Sequence, residues 1–318
     1  MGATVLVFGD SGDPHIEAVS GELGGLGATT VVIDPSAWHR DLRLSYQFSP
    51  EPDIVLEGDG WALRPEQVDA VWWRVKPYEF AQLEMSGDAA EFADREWRRA
   101  IEALPGLLPR ARWMNPREAA RRARSKPFQL FLASECGLTI PSTLISNEPA
   151  RVRQFVAAAE GDAIYKTLSW FFVPPNETIY TTAIGPADVT DDAALVLAPG
   201  IFQERLRKDY EVRATVVGES IHAVAIDSQA HPEARLDWRR VQQDLSYERI
   251  ALPASVAAAL LALTERLGLA FAAHDLVVTP DGEHVFLEVN AMGQWLWLED
   301  HAGAPIAATV AAWLASAA

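Results

Sequence analysis

Two short β-rich runs near the C-terminus constrain this chain more than any other feature. Residues 273–279 and 284–289 flank the turn Pro280-Asp281-Gly282, a spacing that predicts an antiparallel hairpin. Strand alternation in the second run puts His284, Phe286, Glu288 and Asn290 on one side and Val285, Leu287 and Val289 on the other. Glu288 and Asn290 therefore share a face, and Asp275 comes from the run before. Two carboxylates and an amide oxygen form a hard, all-oxygen set. Mg²⁺ suits such a set, since it takes few protein oxygens and leaves its other positions to water and phosphate. The same pattern also fits a plain hairpin whose polar side chains face water, and a lone Glu-x-Asn does not decide between the two.

At 318 residues the chain exceeds one ordinary core, so two or three packed lobes are expected. A formal charge of −17 argues against a general nucleic-acid binder, which needs a basic face to displace counterions. There is no run of about 20 apolar residues to cross a membrane. The N-terminus M-G-A-T-V-L-V-F-G-D has no basic leader and reads as the first strand of a cytoplasmic protein. The single cysteine, Cys136, excludes an internal disulfide and a cysteine metal cluster.

Residues 1–115 read as an α/β lobe. Thr4 to Phe8 and Thr29 to Ile33 enclose a helical pattern from Pro14 to Gly24, which predicts a βαβ unit with a parallel pair. The turn Gly9-Asp10-Ser11-Gly12-Asp13 lacks dinucleotide-loop spacing, and its carboxylates would repel a pyrophosphate. The run D-A-V-W-W-R is a buried strand ending in Arg74, which could meet a ligand at the sheet's carboxyl edge, while Trp72 and Trp73 suit the core. An amphipathic helix is expected over Ser86 to Leu104. Pro105, Pro109 and Pro116 mark a boundary. Seven basic residues from Arg110 to Lys126 are either a solvated helix face or a local anion site.

Beyond the boundary, Lys126 opens an apolar helix running to Glu135, and the passage G-L-T-I-P-S-T follows. The strand A-I-Y-K ends in Lys166, and a buried strand rarely ends in lysine without an anionic partner. Trp170 to Val173 and Glu177 to Ile184 suggest a two-stranded ribbon around Pro174-Pro175-Asn176, with Asp188, Asp191 and Asp192 after it. Next come the strand I-F-Q-E-R-L, the alternating strand Asp209 to Gly218 carrying Glu211 and Arg213, its partner Ile221 to Ile226, and L-D-W-R-R with Arg239. Pro253 to Leu267 is a buried helix capped at Gly268.

In chain order, Lys126, Lys166, Gln203 with Glu204, Arg213, and Asp275 with Glu288 and Asn290 resemble the ATP-grasp ligases. The ending G-Q-W-L-W-L-E narrows this to ligases that macrocyclise ribosomal peptides, the graspetide or microviridin type. The resemblance implies an ATP-grasp fold of α/β class with α+β lobes. Its parts would be an N-terminal pre-ATP-grasp domain (1–115), a central lobe with a peptide-binding ribbon (116–200) and a C-terminal catalytic lobe (201–318), the lobes sandwiching ATP. Asp275, Glu288 and Asn290 would hold two Mg²⁺ ions, and Lys126 and Lys166 the phosphates. Gln203, Glu204, Leu206 and Glu211 would serve adenine and ribose. Arg213, with Arg239 and Arg74, would stabilise the transferred phosphoryl group. Trp170, Phe172, Tyr180, Asp188, Asp191 and Asp192 would dock a precursor peptide. Residues 167–175 depart from the superfamily, replacing its glycine-rich loop. The implied reaction activates Asp or Glu side chains as acyl phosphates and joins them to Ser or Thr hydroxyls or Lys amines. A homodimer is also implied. The open alternatives are a ligase for a small acid or amino acid, and a nucleotide-gated peptide-binding module without turnover.

Overall fold

A computed structural model describes residues 2–75, 87–169, 172–173, 177–178 and 181–316. The first part of the chain contains β1 (Thr4–Phe8), β2 (Thr29–Ile33), β3 (Arg43–Gln47), β4 (Asp53–Gly58), β5 (Trp61–Leu63), β6 (Ala70–Trp73) and β7 (Arg112–Met114). Strands β2-β1-β6-β7 form one parallel sheet, with the helix Pro14–Gly25 crossing over between β1 and β2, as the sequence predicts. That helix starts where Asp13 caps the His15 N–H and proline occupies its first position. Alternation along β6 sends Trp72 and Trp73 into different clusters. The helix expected over Ser86 to Leu104 runs Asp88–Glu102 and is followed by a short one, Leu104–Leu107.

The middle of the chain supplies β8 (Thr143–Ser146), β9 (Ala163–Lys166), β10 (Phe172–Val173), β11 (Glu177–Thr178), β12 (Thr182–Ile184) and β13 (Gly200–Glu204). Here the ribbon differs from its expected form. Only β10 and β11 pair as a ribbon, whereas β12 turns back to pair antiparallel with β9, giving a sheet ordered β12-β9-β13-β8. Ile184 thereby packs into the cluster of Val152, Val156 and Phe202, a burial that a free ribbon could not give it.

The last part contains β14 (Tyr210–Val217), β15 (Ser220–Ile226), β16 (Tyr247–Ile250), β17 (Phe271–Val278) and β18 (His284–Asn290), an antiparallel sheet ordered β16-β15-β14-β17-β18. One face packs on the helices Lys126–Glu135 and Ala254–Leu267. The latter ends at Gly268 with φ +73°, a left-handed cap that glycine adopts without strain. A second core cluster joins Val5, Val7 and Trp72 to Val217, Phe271 and Trp295 and to the C-terminal helix Ile306–Ala315, so the first and last sheets share one interior. Much of the basic run serves this packing: Arg117 lies over the Trp73 ring, Arg112 over Trp313, and Arg122 donates to the Leu267 carbonyl at the end of a helix.

Candidate active site

The register of β14, β17 and β18 brings the candidate residues together. Asp275 lies opposite Arg213 on one side and Glu288 on the other, and directly opposed residues in antiparallel strands share a face. Between Asp275 and Leu276 the pairing with β18 shifts, so that Glu288 faces Asp275 while Phe286 faces Leu276, leaving Leu287 as a bulge. The simple alternation expected for β18 therefore fails. Phe286 turns to the core, fully buried, and Glu288 and Asn290 stay on the face of Asp275.

Arg213 Nη1 donates to Asp275 Oδ2 at 3.0 Å, and the Asn290 amide nitrogen lies 3.4 Å from the same oxygen. Lys126 Nζ stands 3.4 Å from Glu288 Oε2 and donates to the Thr167 carbonyl at 3.3 Å, bridging β18 to the end of β9. Lys166 donates to Gln203 Oε1 at 2.8 Å, and Gln203 Nε2 donates to Thr143 Oγ1 at 2.9 Å. These contacts bring Lys126 and Lys166 close together, both within electrostatic reach of Glu288. Burial pushes the Lys166 ammonium down to about 8, with Lys208 and Lys126 adding to the effect and Glu288 and Glu211 opposing it. Burial also raises Asp275, against the opposing effect of Arg213. Glu288 is pushed up by burial too, but Lys126, Arg239, Lys166 and Arg213 outweigh that and hold it below the usual carboxylate range. An adjacent carboxylate pair, one raised and one depressed, inside a ring of cations is an arrangement built for an anionic ligand with a counterion.

The docking of Lys126 has a visible cause that the sequence reading missed. Strand β18 is the sheet's edge, and Gln129, three residues after Lys126 on the same helix, satisfies that edge. Its amide nitrogen donates to the Val289 carbonyl at 2.9 Å and its oxygen accepts the Val289 N–H at 3.0 Å. A buried glutamine on an otherwise apolar helix face was the available signal. Lys208 was also missed: it donates to Glu211 Oε1 at 3.0 Å and to the Leu236 carbonyl at 3.2 Å, tying Glu211 to the segment that carries Arg239. Arg239 itself is held by Asp237, with Nε to Oδ1 at 2.7 Å, and feels both Glu288 and Asp275.

Other candidates make different described contacts. Arg74 is only 2% exposed. Its Nε donates to Asp13 Oδ2 at 2.7 Å and its guanidinium covers the Trp295 ring, so its described contacts include a buried ion pair at the carboxyl end of β6. The Glu204 carboxylate accepts the Ser142 N–H at 2.8 Å, which fixes β13 to the start of β8. Leu206 lies past the end of β13, on the way to β14. Asp188 caps the Gly185 N–H, Asp191 caps the helix Asp192–Leu197, and Asp192 pairs with Arg153. Phe172 lies on β10, while Trp170 and Tyr180 fall outside the described residues.

Mg²⁺ fits the residues present. Among the described residues no three His, Cys, Asp or Glu side chains are grouped to hold a metal on their own. The set is two carboxylates and an amide, as expected for an ion that takes its remaining ligands from phosphate and water. Arg213 Nε is buried and has no hydrogen-bond partner among the described residues, which suits a site completed by a ligand.

Fold and site define an ATP-grasp ligase. Over its whole length the chain is similar to a RiPP-associated ATP-grasp ligase of Chryseobacterium gregarium, solved with ADP and a leader and core peptide. That match has a TM-score of 0.90 at 24% identity and covers 99% of this chain and 97% of that one. The macrocyclase MdnC of Microcystis aeruginosa MRC, bound with precursor peptide MdnA, matches with a TM-score of 0.86 at 29% identity over 98% and 99% of the two chains. The macrocyclase MdnB of the same organism matches at 0.79 and 29% over the same shares. No family model and no curated protein sequence matches the chain. The solved structures it resembles are thus ATP-grasp enzymes and macrocyclases, two of them bound to peptide.

Proposed function

We propose that the protein is an ATP-dependent macrocyclase of a ribosomal precursor peptide. It would transfer the γ-phosphoryl group of ATP to an Asp or Glu side chain, giving an acyl phosphate and ADP. A Ser or Thr hydroxyl or a Lys amine of the same peptide then attacks the acyl carbon, and phosphate leaves. The observation that carries this reading is the single face on which Asp275, Glu288 and Asn290 meet Arg213, with Lys126 and Lys166 both near Glu288.

Each residue has a role that its geometry supports. Asp275, Glu288 and Asn290 would hold Mg²⁺, which when bound neutralises phosphate oxygens and orients them for in-line transfer. Lys126 and Lys166 would grip the triphosphate. Gln203 orients Lys166, and Glu211, held by Lys208, would serve the ribose. Arg213 presents a planar fork, charged at any working pH, to the transferred group, with Arg239 beside it. No enzyme side chain needs to form a covalent bond to substrate. The ribbon β10–β11 and the helix Asp192–Leu197, with Val196 and Leu197 exposed beside Asp192, would dock the peptide leader. The lobes 1–115, 116–200 and 201–318 would act as the three parts of one cytoplasmic homodimeric enzyme. Among the described residues no helix is long and apolar enough to cross a membrane.

The test is incubation with ATP, Mg²⁺ and a short Thr- and Asp- or Glu-rich peptide encoded beside the gene. One water should be lost per ring, in step with ADP formed, by mass spectrometry. ATP turnover stimulated by a free amino acid and not by the peptide would instead make it a small-acid ligase. Nucleotide binding without ADP formation under any acceptor would make it a binding module.

A further inference from the structure

We infer that Asn115 and His15, both from the N-terminal part of the chain, are positioning residues that fix the loop leaving β18 and so aim Asn290 at Asp275 and Glu288. The inference rests on the proposal that Asn290 faces a metal.

Asn115 follows β7 and is 3% exposed, and its carboxamide is saturated. Its nitrogen donates to the Ala291 carbonyl and to the Phe271 carbonyl, each at 2.8 Å. Its oxygen accepts the N–H groups of Ala270 at 2.7 Å and Phe271 at 2.9 Å. One side chain thus staples the first residue of β17, the strand of Asp275, to the carbonyl of Ala291, the residue after Asn290. The other end of the loop is held by His15. Its Nδ1 lies 2.8 Å from Asp13 Oδ1, so the proton sits there, and Nε2 is left to accept the N–H of Trp295 at 3.1 Å and, at 3.5 Å, that of Leu296. Trp295 is 1% exposed and meets the His15 ring edge-on at 4.5 Å. Between the two anchors the loop has no slack, because a Cβ at Gly293 would stand 2.5 Å from the Ala273 side chain.

Neither anchor touches the candidate ligands, yet both act on the six residues that follow Asn290. A carboxamide on a strand's last residue can face two carboxylates only if the chain beyond it is fixed, and outer-shell partners of this kind set metal affinity. Gln129 performs the same service on the preceding residue, Val289, so the residues on both sides of Asn290 are held by buried carboxamides.

The experiment titrates Mn²⁺ into the ADP-saturated protein, followed by EPR, beside calorimetric ADP affinity in EDTA and thermal midpoints. Asn115→Asp keeps the two acceptor bonds and loses both donors. His15→Leu removes the Nε2 acceptor, and His15→Gln restores an acceptor near it. Asn115→Asp and His15→Leu should bind Mn²⁺ about 10- to 100-fold more weakly with metal-free ADP affinity unchanged, and His15→Gln should recover most of the loss. Wild-type Mn²⁺ affinity in folded Asn115→Asp and His15→Leu overturns the inference, as does an equal loss of metal-free ADP affinity. If Asn115→Asp does not fold, the His15 pair decides. Asn290→Ala separates the two levels: if it binds Mn²⁺ as wild type does, the metal assignment itself fails, whereas loss there with no loss in the anchor variants sinks only the positioning role.

Discussion

Lys166 gives the sharpest quantitative test of the candidate site. The ammonium ends β9 against Gln203, and burial, helped by Lys208 and Lys126, brings it down to about 8. A group with that value is roughly nine-tenths charged at pH 7 and roughly one-tenth charged at pH 9. If only the charged form grips the phosphates, apparent affinity scales with that fraction. ADP should therefore bind about tenfold more weakly at pH 9 than at pH 7, with proton uptake on binding above pH 8 because bound phosphate raises the lysine again. ADP suits the assay because its own phosphate titrates below this window. Calorimetry in two buffers of different ionisation enthalpy reads both the affinity and the proton count. Arginine stays charged throughout, so Lys166→Arg should flatten the profile, while Lys166→Met should bind weakly at every pH. A wild-type affinity constant from pH 7 to 9, or an unchanged slope in Lys166→Arg, would refute the assignment.

Further outcomes follow from neighbouring geometry. Arg213→Met should lower kcat by about 10³-fold or more, with a much smaller change in ADP affinity, because its fork serves the transferred group; a variant within tenfold of wild type would remove Arg213 from the chemistry. Trp295→Ala empties a site enclosed by His15, Trp72 and Phe271 and should cost about 3–5 kcal/mol in urea unfolding, where a loss under 1 kcal/mol would mean the site collapses or is not packed as described. Arg153 now occupies Asp192, so Arg153→Ala should tighten binding of a basic leader peptide by not more than about fivefold in fluorescence anisotropy. Weakened binding would mean instead that the pair orders the dock.

Local signals made the fold legible, and non-local ones hid parts of the site. The β1–helix–β2 unit, the helix Lys126–Glu135 and the hairpin β17–β18 each carry their own start, stop or turn residues, and each lies close to where the sequence puts it. Asp275, Glu288 and Asn290 were readable because a hairpin turn fixes their mutual distance. The bulge at Leu287 was not, since a bulge depends on which side chain the far side of the sheet can bury, and Phe286 is claimed by the core around Leu276. Nor was the pairing of β12, because a three-residue strand chooses its partner by the edge it meets, and β9 offered one.

Arg74 and Asn115 show the limit from opposite sides. A strand ending in arginine at the carboxyl edge of a parallel sheet has the placement of a ligand-binding group, yet Trp295, more than two hundred residues later, packs against that guanidinium, which also pairs with Asp13. What the strand pattern does not reveal is that the arginine bridges the first sheet to a segment near the C-terminus. Asn115 is the reverse: it reads locally as a loop residue between Met114 and Pro116, with no pattern to mark it. All four of its hydrogen-bond partners lie at least 155 positions away, in the strand of one candidate ligand and beside another. A buried carboxamide costs stability unless every valence is met, so its saturation ties the folding of the first sheet to the geometry of the last. In this protein the candidate ligands are legible from spacing along the chain, and the residues that hold them in place emerge only once distant segments have packed together.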